Sequence, residues 1–109
     1  MRMILLLPLI LSSGCVASTL KAEPTARVAY ADLALDSPAG RAELRQRVAQ
    51  AARAYCREHE AEVTPQVLRN DRQFCLVALR NTIAADMPGA VRRAYARGLR
   101  EAGVRGRQL

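Results

Sequence analysis

The sequence predicts a mainly α-helical fold: about three helices behind a short N-terminal extended segment, stapled by one disulfide. Three observations carry this. Apolar residues recur at helical spacing in three stretches, each bounded by Pro, Gly or capping residues. The 109 residues hold no Trp, one Phe and three Tyr, so Ala, Leu and Val must fill a small interior. Such a core buries little apolar area per residue, and chains of this size often add a covalent staple. Finally, the chain opens like an exported protein, and export leads to a compartment where paired cysteines oxidise.

Residues 1–22 read as an export signal and the start of a tether. Met1-Arg2-Met3 supplies a short basic start, and Ile4 to Leu11 is an apolar run interrupted by Pro8. That run falls far short of the roughly 20 residues that span a bilayer. A buried N-terminal helix fits poorly, because Pro8 breaks it and Ser12-Ser13-Gly14 ends it. Of the three cysteines, Cys15 directly follows the run. Leu11-Ser12-Ser13-Gly14-Cys15 resembles a lipoprotein cleavage site, with Cys15 as the lipidated first residue, although Leu11 stands one place early. Cleavage after Ala17 or Ala22, which discards Cys15, is the competing reading. Both leave Cys56 and Cys75 as the one pair in the mature domain.

The domain itself is expected over residues 26–102. Ser18 to Thr25 is polar, contains Pro24 and reads as a tether. In Ala26 to Leu33, Val28 and Tyr30 alternate with small or polar residues, as in a half-buried extended segment. It either lies across the helices or pairs with a second segment around Glu62 to Leu68. Asp36-Ser37-Pro38 starts the first helix: Ser37 accepts an orphan backbone N–H, and Pro38 at the first position loses no hydrogen bond. This helix is expected to run to about Arg57, with Leu44, Val48, Ala51, Ala52 and Tyr55 inward and Arg41, Arg45, Gln46 and Arg53 facing water. Glu58 to Pro65 should then leave it as an acidic linker.

Asn70-Asp71 caps a second helix, from about Arg72 to Asp86, with Phe74, Cys75, Ala78, Leu79 and Ile83 on its apolar side. Met87-Pro88-Gly89 ends it. The third helix, from about Ala90 to Ala102, carries Val91, Ala94, Tyr95, Leu99 and Ala102 on one face and Arg92, Arg93, Arg97 and Arg100 on the other. Residues 103–109 have two glycines and no periodicity, and read as a flexible tail.

Taken as an ordered set, Val28-Ala29-Tyr30-Ala31-Asp32-Leu33, Leu35, Ser37, Gly40, Leu44, Arg47, Ala51-Ala52, Cys56 and Cys75 resemble the UrcA family of small exported bacterial proteins. The pattern covers Val28 to Pro88. Ala34 and Arg57 depart from it, standing where family members commonly have Asp and Gly. The resemblance implies a periplasmic or envelope location and a small disulfide-bearing domain with no catalytic residues to carry over.

Charge and chemistry narrow the function classes further. The formal charge is +7, and sixteen of the seventeen basic residues are Arg. For an exported protein this points to anionic lipid headgroups or envelope polymers rather than nucleic acid. Cys56 and Cys75 lack the Cys-x-x-Cys spacing of oxidoreductases, which favours a structural bond. Glu58, His59 and Glu62 are the weak candidate for a metal or small-ligand module, since one imidazole with flanking carboxylates does not make a dedicated ligand set. Asp32 and Asp36 are read as turn or cap residues. With no catalytic constellation and no cofactor motif, the expectation is a noncatalytic envelope protein with an interaction or structural role. The Arg92, Arg93, Arg97 and Arg100 face is its candidate anionic surface, and Cys15 its candidate membrane anchor.

Overall fold

The computed structural model describes residues 26–104. The expected export signal, Cys15 and most of the expected C-terminal tail lie outside the described residues. Three helices form the domain: α1 (Pro38–Val63), α2 (Phe74–Asp86) and α3 (Gly89–Glu101). The long α1 is the spine, and both shorter helices pack mainly on it rather than on each other.

Helix α1 begins as the sequence dictates. The Ser37 hydroxyl accepts a hydrogen bond from the Gly40 N–H at 3.1 Å, and Pro38 occupies the first turn. Leu44, Val48, Ala52 and Cys56 follow at four-residue spacing and form one buried stripe. The helix outruns its expected end at Arg57 and reaches Val63. Glu58 to Val63 contains good helix formers and nothing that removes a backbone donor, so a run of charge alone does not stop the helix. His59 (φ −127°, ψ 17°) leaves helical geometry and kinks it. Pro65 acts one residue earlier: Thr64, which precedes it, is held extended, and the Thr64 N–H closes the last turn on Glu60 O at 2.8 Å. The expected acidic linker is therefore the last turns of α1.

A single 3-10 turn, Gln66–Leu68, leads toward α2. Helix α2 starts at Phe74, later than the expected Arg72, because Asp71 closes a turn instead of capping the helix. Its carboxylate accepts from the Gln73 N–H at 2.9 Å, and its carbonyl accepts from the Phe74 N–H at 3.2 Å. Cys75, Leu79 and Ile83 are the buried side of α2, and Met87 continues it beyond the helix end. Cys56 and Cys75 join α1 to α2, with sulfur atoms 2.10 Å and Cα atoms 6.0 Å apart. Both are buried within the core.

Helix α3 ends in a hydrogen-bonded turn. Gly103, at φ +71°, lets the Val104 N–H reach Leu99 O and its own N–H reach Arg100 O, each at 3.0 Å. The first two residues of the expected loose tail thus terminate the helix, and Ala102 is exposed rather than inward.

The segment from Ala26 to Asp36 forms a strap across the helices. Among the described residues there is no strand. The alternative pairing partner, Glu62 to Leu68, is taken up by the end of α1 and the 3-10 turn. Val28, Tyr30, Leu33 and Leu35 are half-buried against the core.

Candidate functional site

The Tyr30-Ala31-Asp32-Leu33 motif makes a turn, with the Leu33 N–H donating to Tyr30 O at 3.0 Å. A second turn follows at once: the Ser37 N–H and hydroxyl both donate to Ala34 O, at 3.1 and 2.9 Å. Asp32 does not cap α1. Its two carboxylate oxygens each accept from Arg47, Nη1 and Nη2 donating at 2.7 Å in a forked pair. Arg47 Nη1 also donates to Ala29 O at 3.1 Å, and Nε to Glu43 at 3.2 Å. The hydrogen bond from Arg47 holds the Asp32 carboxyl down at about 2, and Asp32 in turn raises the guanidinium pKa. Asp32 and Arg47, fifteen positions apart, therefore serve one purpose, which is to clamp the strap to α1.

A second clamp was not legible in the sequence. Arg41, expected to face water, is only 2 % exposed. Its Nη2 donates to Glu101 at 2.7 Å, its Nε donates to both Glu101 oxygens at 3.1 Å, and its Nη1 donates to Leu35 O at 3.1 Å. One side chain thereby ties α1, the strap and the end of α3 together. Arg41 lies three residues before Leu44 and shares its inward face; the partner that makes this burial tolerable is sixty residues away. Hydrogen bonding between the two raises the Arg41 pKa and lowers that of Glu101. Arg45 is also half-buried, its Nε shielded and without a hydrogen-bond partner among the described residues.

The Arg41–Glu101 clamp fixes how α3 presents itself. Val91, Tyr95 and Gly98 face inward, and Gly98 allows close approach: a Cβ there would lie 3.1 Å from Arg41 O. Burial pushes the Tyr95 phenol up. Arg92, Arg93, Arg97 and Arg100 are all exposed, as expected. At 3.6 residues per turn they fall within an arc of about 140°, opposite the buried side. Arg97 reaches Glu101 at 3.2 Å. Arg92, Arg93 and Arg100 have no acidic partner among the described residues. Ala96 separates them, and none of the aromatic side chains is on this face: Tyr95 is buried, and Tyr30, Tyr55 and Phe74 are half-buried elsewhere.

The Glu58, His59 and Glu62 group does not converge. Glu62 approaches His59 Nδ1 at 3.4 Å while Glu58 lies 3.8 Å from Nε2, so the carboxylates sit against different ring nitrogens. His59 instead packs on Tyr55, ring centroids 4.5 Å apart, at the kink of α1. No cluster of three His, Cys, Asp or Glu able to hold a metal ion occurs among the described residues. No helix there is long and apolar enough to cross a membrane.

Comparison with known proteins returns no matching family model, no matching curated protein and no matching solved structure. The UrcA resemblance therefore rests on the ordered residues themselves, most of which have structural duties in the strap, the clamps and the core.

Proposed function

We propose that the chain is an exported, noncatalytic envelope domain of the UrcA type that rests the basic face of α3 on an anionic surface. The observation that carries this reading is the arginine arc of α3, fixed in orientation by the Arg41–Glu101 clamp and exposed along its length. Guanidinium groups form forked hydrogen bonds with phosphate oxygens and are weakly hydrated, so they suit headgroup contact. Each basic residue near an anionic surface contributes about 1 kcal/mol, within a Debye length of about 8 Å at physiological salt. Three arginines without acidic partners among the described residues then supply about 3 kcal/mol, roughly a hundredfold in partitioning.

That is reversible attachment. A lipidated Cys15 would convert it into stable anchoring, because one acyl chain plus a basic patch holds where either alone is marginal. Nucleic acid is the poorer partner, since single-strand binding uses exposed aromatic platforms and the arc has none.

Co-sedimentation of the unlipidated, disulfide-closed domain with vesicles tests the proposal. Binding should rise with anionic lipid content and fall as salt is added. Replacing Arg92, Arg93, Arg97 and Arg100 together with Gln should remove most of it while leaving the far-UV spectrum unchanged. Absence of binding at low salt, or equal binding by the four-Gln variant, would make the arc an ordinary solvated face.

A further inference from the structure

A groove of about 570 Å³ lies between the strap and the end of α2, lined by residues outside the arginine arc. Its size is that of small-molecule sites, which run from about 300 to 1,000 Å³. Val28, Ile83 and Met87 give it an apolar side, with Ile83 and Met87 themselves buried. Tyr30 also lines it, and two opposite charges, Arg27 and Asp86, stand on the same groove. Both are exposed, and neither forms an ion pair with the other or with any other described residue. Asp86 is moreover the last residue of α2, whose final turn has no basic side chain to offset the carbonyl end of the helix. That end favours a cation.

We propose that this groove binds a small zwitterion with an apolar body, of the class of apolar amino acids and dipeptides. Its ammonium group is held at Asp86 and the α2 carbonyl end, its carboxylate is held by Arg27, and its side chains lie against Val28, Ile83 and Met87. The alternation of charges matters: an apolar groove with one sign of charge would select a simple amphiphile, whereas two separated, mutually unpaired charges select a ligand carrying both. The strap supplies one wall, so the Asp32–Arg47 clamp also sets the width of the site.

The probe is the dipeptide Leu-Leu, titrated into the disulfide-closed protein and followed by amide chemical shifts. Saturable shifts confined to residues 26–30 and 83–87 are expected. N-acetylation of Leu-Leu, which removes the ammonium, and C-terminal amidation, which removes the carboxylate, should each weaken binding at least tenfold. The losses should be reciprocal: Asp86→Asn should bind free and acetylated dipeptide alike, and Arg27→Gln should bind free and amidated dipeptide alike. Both positions are exposed, so melting temperatures of the variants should match the parent and report on folding. Lack of saturation at millimolar dipeptide, equal binding of the blocked dipeptides, or losses that are not paired with the matching variant would each overturn the proposal. Vesicle binding through α3 is a separate readout, unaffected by either variant's loss of dipeptide.

Discussion

Replacing Gly40 by Ala is expected to destabilise the domain, against the usual sign for a helix interior. On propensity alone the change gains up to about 1 kcal/mol. The structure opposes it with a backbone contact, because a Cβ at position 40 would overlap the Ala34 carbonyl. That oxygen cannot move freely: it accepts from the Ser37 N–H and hydroxyl, which define the entry into α1. Overpacking costs typically about 1–3 kcal/mol, and disturbance of the Ser37 cap about 1 kcal/mol more. Set against the propensity gain, the net loss is about 2 kcal/mol, a fall of roughly 8–16 °C in Tm for a domain of this size. Thermal melts by circular dichroism read it directly. Gly89→Ala is the control, since the atom nearest its new Cβ is the mobile end of Arg93 at 3.4 Å; its Tm should hold or rise slightly. A Gly40→Ala protein that melts at or above the parent temperature would refute the close-approach argument.

Two further outcomes follow from the same contacts. Reduction, or Cys56→Ala with Cys75→Ala, should cost about 3 kcal/mol in the chain-entropy description of a loop this long, read as a lower urea midpoint; an unchanged midpoint would show that the crosslink adds nothing to the helix packing. Asp32, held at about 2 by Arg47, contributes stability that is fully present above its unfolded pKa of about 4 and is lost as pH falls through the folded value. Asp32→Asn should therefore remove part of the acid dependence of Tm between about pH 4 and 2 and speed amide exchange in the strap; an acid profile superimposable on that of the parent would deny the Asp32–Arg47 clamp its role.

The parts of the fold governed by neighbours in sequence were the legible ones. Ser37-Pro38 marked the start of α1 because a cap needs only residues three apart, and the Leu44, Val48 and Ala52 stripe followed from helical spacing. The inward position of Arg41 is visible in that same spacing, yet its charge argued for water. Only a Glu at position 101, placed beside it by the packing of Gly98, reverses the choice. The acidic composition of Glu58 to Glu62 suggests a linker, whereas a helix stops where a donor is missing or the backbone is constrained, and here that is the Thr64-Pro65 step. Of the candidate sites, the arginine arc was readable because a helix face is set by periodicity. The Arg27–Asp86 groove was not, since nothing in the sequence says that the strap lies beside the end of α2.

The most direct measurement of the proposed α3 docking surface is residue-resolved NMR of the domain on nanodiscs containing anionic lipid and a paramagnetic headgroup label. Broadening should be concentrated on Arg92, Arg93, Arg97 and Arg100 and the amides between them, weaken with added salt, and leave the 3-10 turn at Gln66–Leu68 sharp. Val67, exposed by 89 % at that turn, is the competing contact point. Broadening centred on Val67 or on the strap, or broadening equally strong on nanodiscs of neutral lipid, would contradict the assignment of the arginine arc as the surface through which this protein works.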